Sequence, residues 1–231
     1  DGFKANAAYA IQTLVAAQDA GADAVVLCDT NGGTLSSEIK DIVDRVALET
    51  TIPLGIHCHN DTEMAVANTI VAVLAGATHV QGTINGYGER CGNANLVSVI
   101  ANLQLKIGIP CITDQQLASL ASVSKFVSEI VNIPPSSQQP YVGLSSFSHK
   151  GGLHAAAVTK LEESYQHVDP TLVGNSKNIV VSELSGRGNI QYKIEELNLQ
   201  DELDSSQISD ILARIKIKEN ISVFLFFILV L

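Results

Sequence analysis

The sequence predicts an α/β fold: a parallel sheet of βα units in the first half, then a mostly helical accessory region. Three observations predict it. Stretches with one apolar helical face alternate with short β-branched runs through about residue 108. The runs are continuous rather than alternating, as in strands covered on both faces. A phrase also repeats: Ala20-Gly21-Ala22-Asp23-Ala24-Val25 returns about 55 residues later as Ala75-Gly76-Ala77-Thr78-His79-Val80, each time leading from a helix end into a strand. That interval holds two strands, so the unit is βα. Eight units close a barrel, in about 250 residues. Three cannot, so as barrel material this chain is the last part of one.

The elements follow in order. Residues 5–20 read as a helix, with Ala8, Ile11, Leu14, Val15 and Ala17 on one face and Gly21 as its stop. Residues 24–28 are a strand. Residues 36–48 are a helix with Ile39, Ile42, Val43 and Val46 on one face, and residues 54–57 the next strand. A helix over 63–75 ends at Gly76, a third strand covers 79–84, and a fourth helix covers 95–107. Thr113-Asp114-Gln115-Gln116 is a capping box that opens a helix to Val131. Pro134 to Pro140 is a linker. Short helices and a Gly151-Gly152 turn follow, with no further βα repeat. The domains expected are residues 1–112, residues 113–220 and an apolar tail, 221–231.

Composition narrows the function. The chain has 231 residues, 46% hydrophobic and 16% charged, enough apolar material for a packed core. Lys plus Arg is 14 against 24 for Asp plus Glu, a net charge of −10. That disfavours nucleic acid and anionic membranes as partners, since both need clustered cations. Cys28, Cys58, Cys91 and Cys111 form no CxxC pair, so reduced thiols in a cytoplasmic setting are expected, with a plastid as the eukaryotic variant. The chain opens on Asp1 in a helix and reads as the middle of something longer. The last 11 residues are too few to span a bilayer, which takes roughly 20. They read as a buried strand or as a tail foreign to the fold, and the abrupt change after Lys218-Glu219 favours the tail.

Four clusters carry chemistry. His57-Cys58-His59-Asn60-Asp61 ends a strand, where His57 and His59 share a face and Cys58 turns away. Paired imidazoles suit a divalent metal, and also suit two histidines bonded to backbone. The segment from Gly82 to Asn95 follows the next strand and packs glycines, Thr83, Asn85, Glu89, Arg90 and Asn93 into one loop. It reads as a polar site or as a tight turn with an Arg–Glu surface pair. Cys28-Asp29-Thr30-Asn31-Gly32-Gly33 can hold a substrate carboxylate, or be an ordinary capped turn. Phe147 to His154, with Tyr165 and His167 beyond, suggests a segment swinging over a site, or a helix start with incidental histidines.

Together these motifs resemble the metal-dependent acetyl-CoA synthases of the 2-isopropylmalate, homocitrate and citramalate group, within the aldolase-like TIM-barrel superfamily. The resemblance rests on residues 27–33, on His57-x-His59-Asn60-Asp61 with Ala65-Val66-Ala67-Asn68, on residues 82–93, and on His149-Lys150-Gly151-Gly152-Leu153-His154. It covers roughly residues 1–218 and leans to the citramalate branch through Tyr87, residues 1–4, 139–143 and 184–189. It implies the last three βα units of a (β/α)8 barrel and a Claisen condensation of acetyl-CoA with a 2-keto acid. The keto acid is pyruvate for the citramalate branch, on the way to isoleucine, and 2-ketoisovalerate for the leucine branch. It also implies that His57, His59 and Asn93 hold a divalent metal (Mg, Mn, Zn or Co), that Thr30, Thr83 and Asn85 contact substrate, and that Glu89, His154 and Tyr165 move protons. In that family the accessory segment reaches across a homodimer, which puts His154 and Tyr165 in trans.

The sequence also departs from the family. The strand bearing an Asp metal ligand, the other early barrel strands and the C-terminal regulatory domain have no counterpart here. The chain alone is therefore expected to bind metal weakly and to turn over poorly or not at all. Two other readings remain: a lyase of the hydroxymethylglutaryl-CoA type, against which Glu89-Arg90 argues, and a non-catalytic fragment.

Overall fold

The computed structural model describes residues 1–149, 166–179, 187–197, 199 and 205–230. The chain divides into two compact units, Asp1–Pro135 and Ser136–Leu231.

The first unit opens with α1 (Gly2–Ala5) and α2 (Ala7–Asp19), then β1 (Val25–Asp29), α3 (Ser36–Ala47), β2 (Leu54–Cys58), α4 (Ala65–Leu74) and β3 (His79–Gln81). A 3₁₀ turn, Ile84–Gly86, leads to α5 (Leu96–Asn102), then α6 (Asp114–Leu117) and α7 (Leu120–Ile130). The strands are parallel in the order β1-β2-β3, with Cys28 opposite His57 and His57 opposite Gln81. Leu54, Ile56 and Cys58 of β2 enter one core with Ile39, Val43 and Val46 of α3, Ala65 and Ala72 of α4, and Val99 of α5. Gly55 and His57 alternate to the other face of the strand.

In this unit, sequence periodicity and structure differ at four points. The expected first helix breaks at Asn6, whose φ of −156° is extended and whose side chain accepts from the Tyr9 N–H. The third strand stops at Gln81 rather than residue 84, because the returning chain lies against it. A Cβ at Gly82 would sit 2.4 Å from the Ala94 carbonyl oxygen, and Thr83 makes a single bridge to Asn95. The fourth helix ends in a π-helical turn, Leu103–Ile107, closed by Gly108 at φ 81°. The Thr113–Gln116 capping box forms, but the helix it opens is two helices, α6 and α7. Both belong to the first compact unit.

In the second unit, β4 (Ser148–His149) pairs in parallel with β5 (Asn178–Ile179), a short pairing that the sequence did not suggest. A 3₁₀ turn, Pro170–Val173, is capped by Asp169, and α8 (Arg187–Glu196) and α9 (Ser205–Val230) follow. The His167 ring stacks on Phe147 and meets Tyr141 edge-on. The apolar tail through Val230 continues α9 as helix, not strand. Among the described residues no helix is long and apolar enough to cross a membrane.

Candidate active site

The three βα loops of the first unit meet beyond the C-terminal ends of the strands. The first is organised by Asp29, which is buried: Thr34 donates its hydroxyl to Asp29 Oδ1 at 2.6 Å. Asn68, fully buried on α4, donates to the Thr34 carbonyl at 2.7 Å and accepts from the Ser36 hydroxyl at 2.8 Å. The Asp29 carboxylate thus builds the turn. Thr30 beside it is exposed.

The imidazoles of His57 and His59 lie with ring centroids 5.3 Å apart and tilted by 58°. Between them the Cys58 thiol is sealed in the core, and burial pushes it up to about 12. The glycine loop returns antiparallel to this segment. The Asn60 N–H bonds the Gly92 carbonyl, Ala94 N–H bonds the Cys58 carbonyl, and His59 faces Asn93 across a bridge. The Asn93 amide therefore lies against the histidines, with Nδ2 3.1 Å from His57 Nε2. Gly88 leaves it room, since a Cβ there would sit 1.9 Å from Asn93 Oδ1.

His59 Nδ1 is buried with no hydrogen-bond partner, an exception that calls for a ligand or water. Two imidazoles, one with an orphaned nitrogen, beside an amide fit part of a divalent-metal shell. The set lacks an acidic member: among the described residues no group of three or more His, Cys, Asp or Glu can hold a metal.

The remaining loop residues divide. The Thr83 hydroxyl donates to the Tyr87 carbonyl at 2.6 Å. Asn85 sits at φ 64°, and its amide faces α7: Nδ2 donates to the Ser124 carbonyl and approaches the Ser128 hydroxyl, while Oδ1 accepts from Ser124. Tyr87 OH lies 3.0 Å from the same Ser128 hydroxyl. This fastening to α7 has no local sequence signal. Glu89 is 79% exposed, and its carboxylate is 3.9 Å from Arg90. Arg90 pairs chiefly with Asp61 instead, at 2.8 and 3.0 Å, and holds that carboxyl below its usual range. The Arg–Glu surface pair read from the sequence is present at the longer distance, and Asp61 is a second, closer partner that the sequence reading missed. His154, Tyr165 and the Gly151-Gly152 turn lie outside the described residues.

Residues 1–127 match the model of the HMGL-like family, and residues 141–221 match that of the homocitrate synthase post-HMGL domain-like family. The chain is 53% identical over 220 residues to an (R)-citramalate synthase from Geobacter sulfurreducens, covering 95% of this chain and 42% of the relative. It is 51% identical over 217 residues to one from Aquifex aeolicus, covering 94% and 41%. The chain thus spans about two fifths of the length of these curated relatives. A solved HMG-CoA lyase from Bacillus subtilis is 20% identical, with a TM-score of 0.49 over 55% of this chain and 44% of that one. With over half of its residues matched to the family's model, on a parallel βα sheet, the chain belongs to the HMGL-like family.

Proposed function

We propose that this chain is the closing part of the catalytic region of a citramalate synthase. The enzyme joins acetyl-CoA to pyruvate and releases citramalate and CoA, for isoleucine biosynthesis. The observation that carries the reading is the His57–His59–Asn93 cluster at the mouth of the parallel sheet, in a chain half-identical to enzymes named for that reaction. The strands add in chain order with no reversal, the winding of a (β/α)8 barrel, and on this reading they are its last three βα units.

His57, His59 and Asn93, brought together from two loops, would hold a divalent metal. Such a metal polarises the keto carbonyl under attack. Thr30 and Thr83 hold the keto-acid carboxylate, and Thr83 exchanges its bond to Tyr87 for one to substrate. Asn85 supports the loop from α7. Glu89, with His154 supported by Tyr165, removes a proton from the acetyl methyl. The resulting carbon bonds to the keto carbon, whose oxygen takes a proton, and water then cleaves the thioester to free CoA-SH. A methyl this weakly acidic requires a tuned base and a site closed to water. A homodimer in which the accessory segment reaches the partner's site supplies that closure.

The test is CoA-thiol release by the complete product of the gene, with pyruvate and 2-ketoisovalerate in parallel. Faster release with pyruvate is expected. The reverse preference makes the protein a 2-isopropylmalate synthase, and cleavage of a hydroxyacyl-CoA without condensation makes it a lyase.

A further inference from the structure

The guanidinium of Arg90 joins all three loops of the site. Nε and Nη2 bond the two oxygens of Asp61 at 2.8 and 3.0 Å, and Nη2 also bonds the Thr30 carbonyl at 2.5 Å. Arg90 holds φ 56°, in the left-handed region that a non-glycine residue enters only when its surroundings impose it. Asp61 is itself seated: a Cβ at Gly32 would lie 2.4 Å from its Oδ2, and neighbouring Thr62 bonds the Gly32 carbonyl through both its N–H and its hydroxyl. Two residues past Arg90, the Gly92 carbonyl accepts from Asn60, and the next residue is Asn93.

From this geometry we infer that Asp61 and Arg90 are a positioning pair: their forked ion pair sets the turn that presses the Asn93 amide against His57. An exposed ion pair contributes little to stability. The carboxylate and the fork are worth their strain here because they fix the last turn before a site residue. The inference deepens the metal-site reading and rests on it for its purpose, though not for its geometry.

The test uses the whole chain with Asp61→Asn, Arg90→Gln and the double variant. The His57 ring nitrogens, followed by long-range ¹H–¹⁵N NMR and assigned with a His57→Gln control, report the amide contact directly. Both single variants should shift the His57 signals. They should also weaken Co²⁺ binding, read from its visible spectrum, by roughly 10- to 100-fold, the usual effect of losing a supporting partner. The double variant should be no worse than either single one. Melting temperature should barely move. If Asp61→Asn unfolds the chain, Arg90→Lys keeps the charge without the fork and should show the same His57 shift. Unchanged His57 signals overturn the inference, as does a large loss of stability with those signals intact. A His57→Gln chain that takes up Co²⁺ as well as wild type sinks the metal reading, while the His57 signals of the other variants still judge the pair.

Discussion

Asn93 Nδ2 lies 3.1 Å from His57 Nε2, across 36 residues of chain. The contact sets the amide against the edge of the imidazole, so both groups face one point. Asn93→Ala should weaken Co²⁺ or Mn²⁺ binding by about 10- to 100-fold. Asn93→Asp should bind at least as tightly as wild type, because it adds the carboxylate the described set lacks. Calorimetric titration of the three proteins decides it, and a weaker Asp variant would place Asn93 outside the shell.

Gly88 and Gly82 separate a site effect from a packing effect. Alanine at 88 would collide with the Asn93 side chain, which is only 8% exposed and has little room to move. Gly88→Ala should therefore lower metal affinity about as much as Asn93→Ala, with a small change in melting temperature. Alanine at 82 would meet the Ala94 carbonyl, which is backbone. Gly82→Ala should instead cost about 1–3 kcal/mol of stability. Paired denaturant melts and titrations read both outcomes.

The sheet and the two histidines were legible because their signals are local. A β-branched run specifies a strand, and His-x-His on a strand specifies a shared face. The β1-β2-β3 register then follows from packing Leu54, Ile56 and Cys58 on one core. What was not legible is long-range and polar. Nothing near Asp61 says that it takes Arg90 rather than leaving Arg90 to Glu89, and nothing near Asn85 points to serines 39 and 43 positions away. Such pairs have no period; they follow from which loops the sheet brings together.

The Asn85 cluster tests that long-range contribution. Asn85→Ala removes the acceptor of the Ser124 hydroxyl and a donor to the Ser124 carbonyl, while Ser128 keeps its bonds to Ser124 and Tyr87, and it places alanine at φ 64°, where asparagine is better tolerated. A loss of about 2–3 kcal/mol is expected from the unsatisfied Ser124 hydroxyl and the backbone together. Asn85→Gly keeps the backbone conformation and should recover part of that loss. Tyr87→Phe removes only the hydroxyl contact with Ser128, worth about 1 kcal/mol. Equal melts for Asn85→Ala and wild type would show that α7 does not depend on this anchor.

Cys58 links the core to alkaline pH. Its thiol, ordinarily near 9.0, is pushed up to about 12, first by burial and then by the nearby Asp29 charge, with a Thr69 hydrogen bond opposing. The folded state therefore holds this proton more tightly than the unfolded chain. The stabilisation is fully present below the unfolded value and is lost as pH rises from about 9 toward 12, at up to about 1.4 kcal/mol per pH unit. Chemical denaturation at pH 8, 9, 10 and 11 should show this slope, and Cys58→Ala should flatten it by that amount while other groups titrate as before. Reactivity should agree: at pH 8 the exposed Cys28, Cys91 and Cys111 should alkylate in the native protein, and Cys58 only after unfolding. A fourth thiol reacting as fast as the others under native conditions would mean that β2 does not bury Cys58, and the placement of His57 and His59 on either side of it would fall with that.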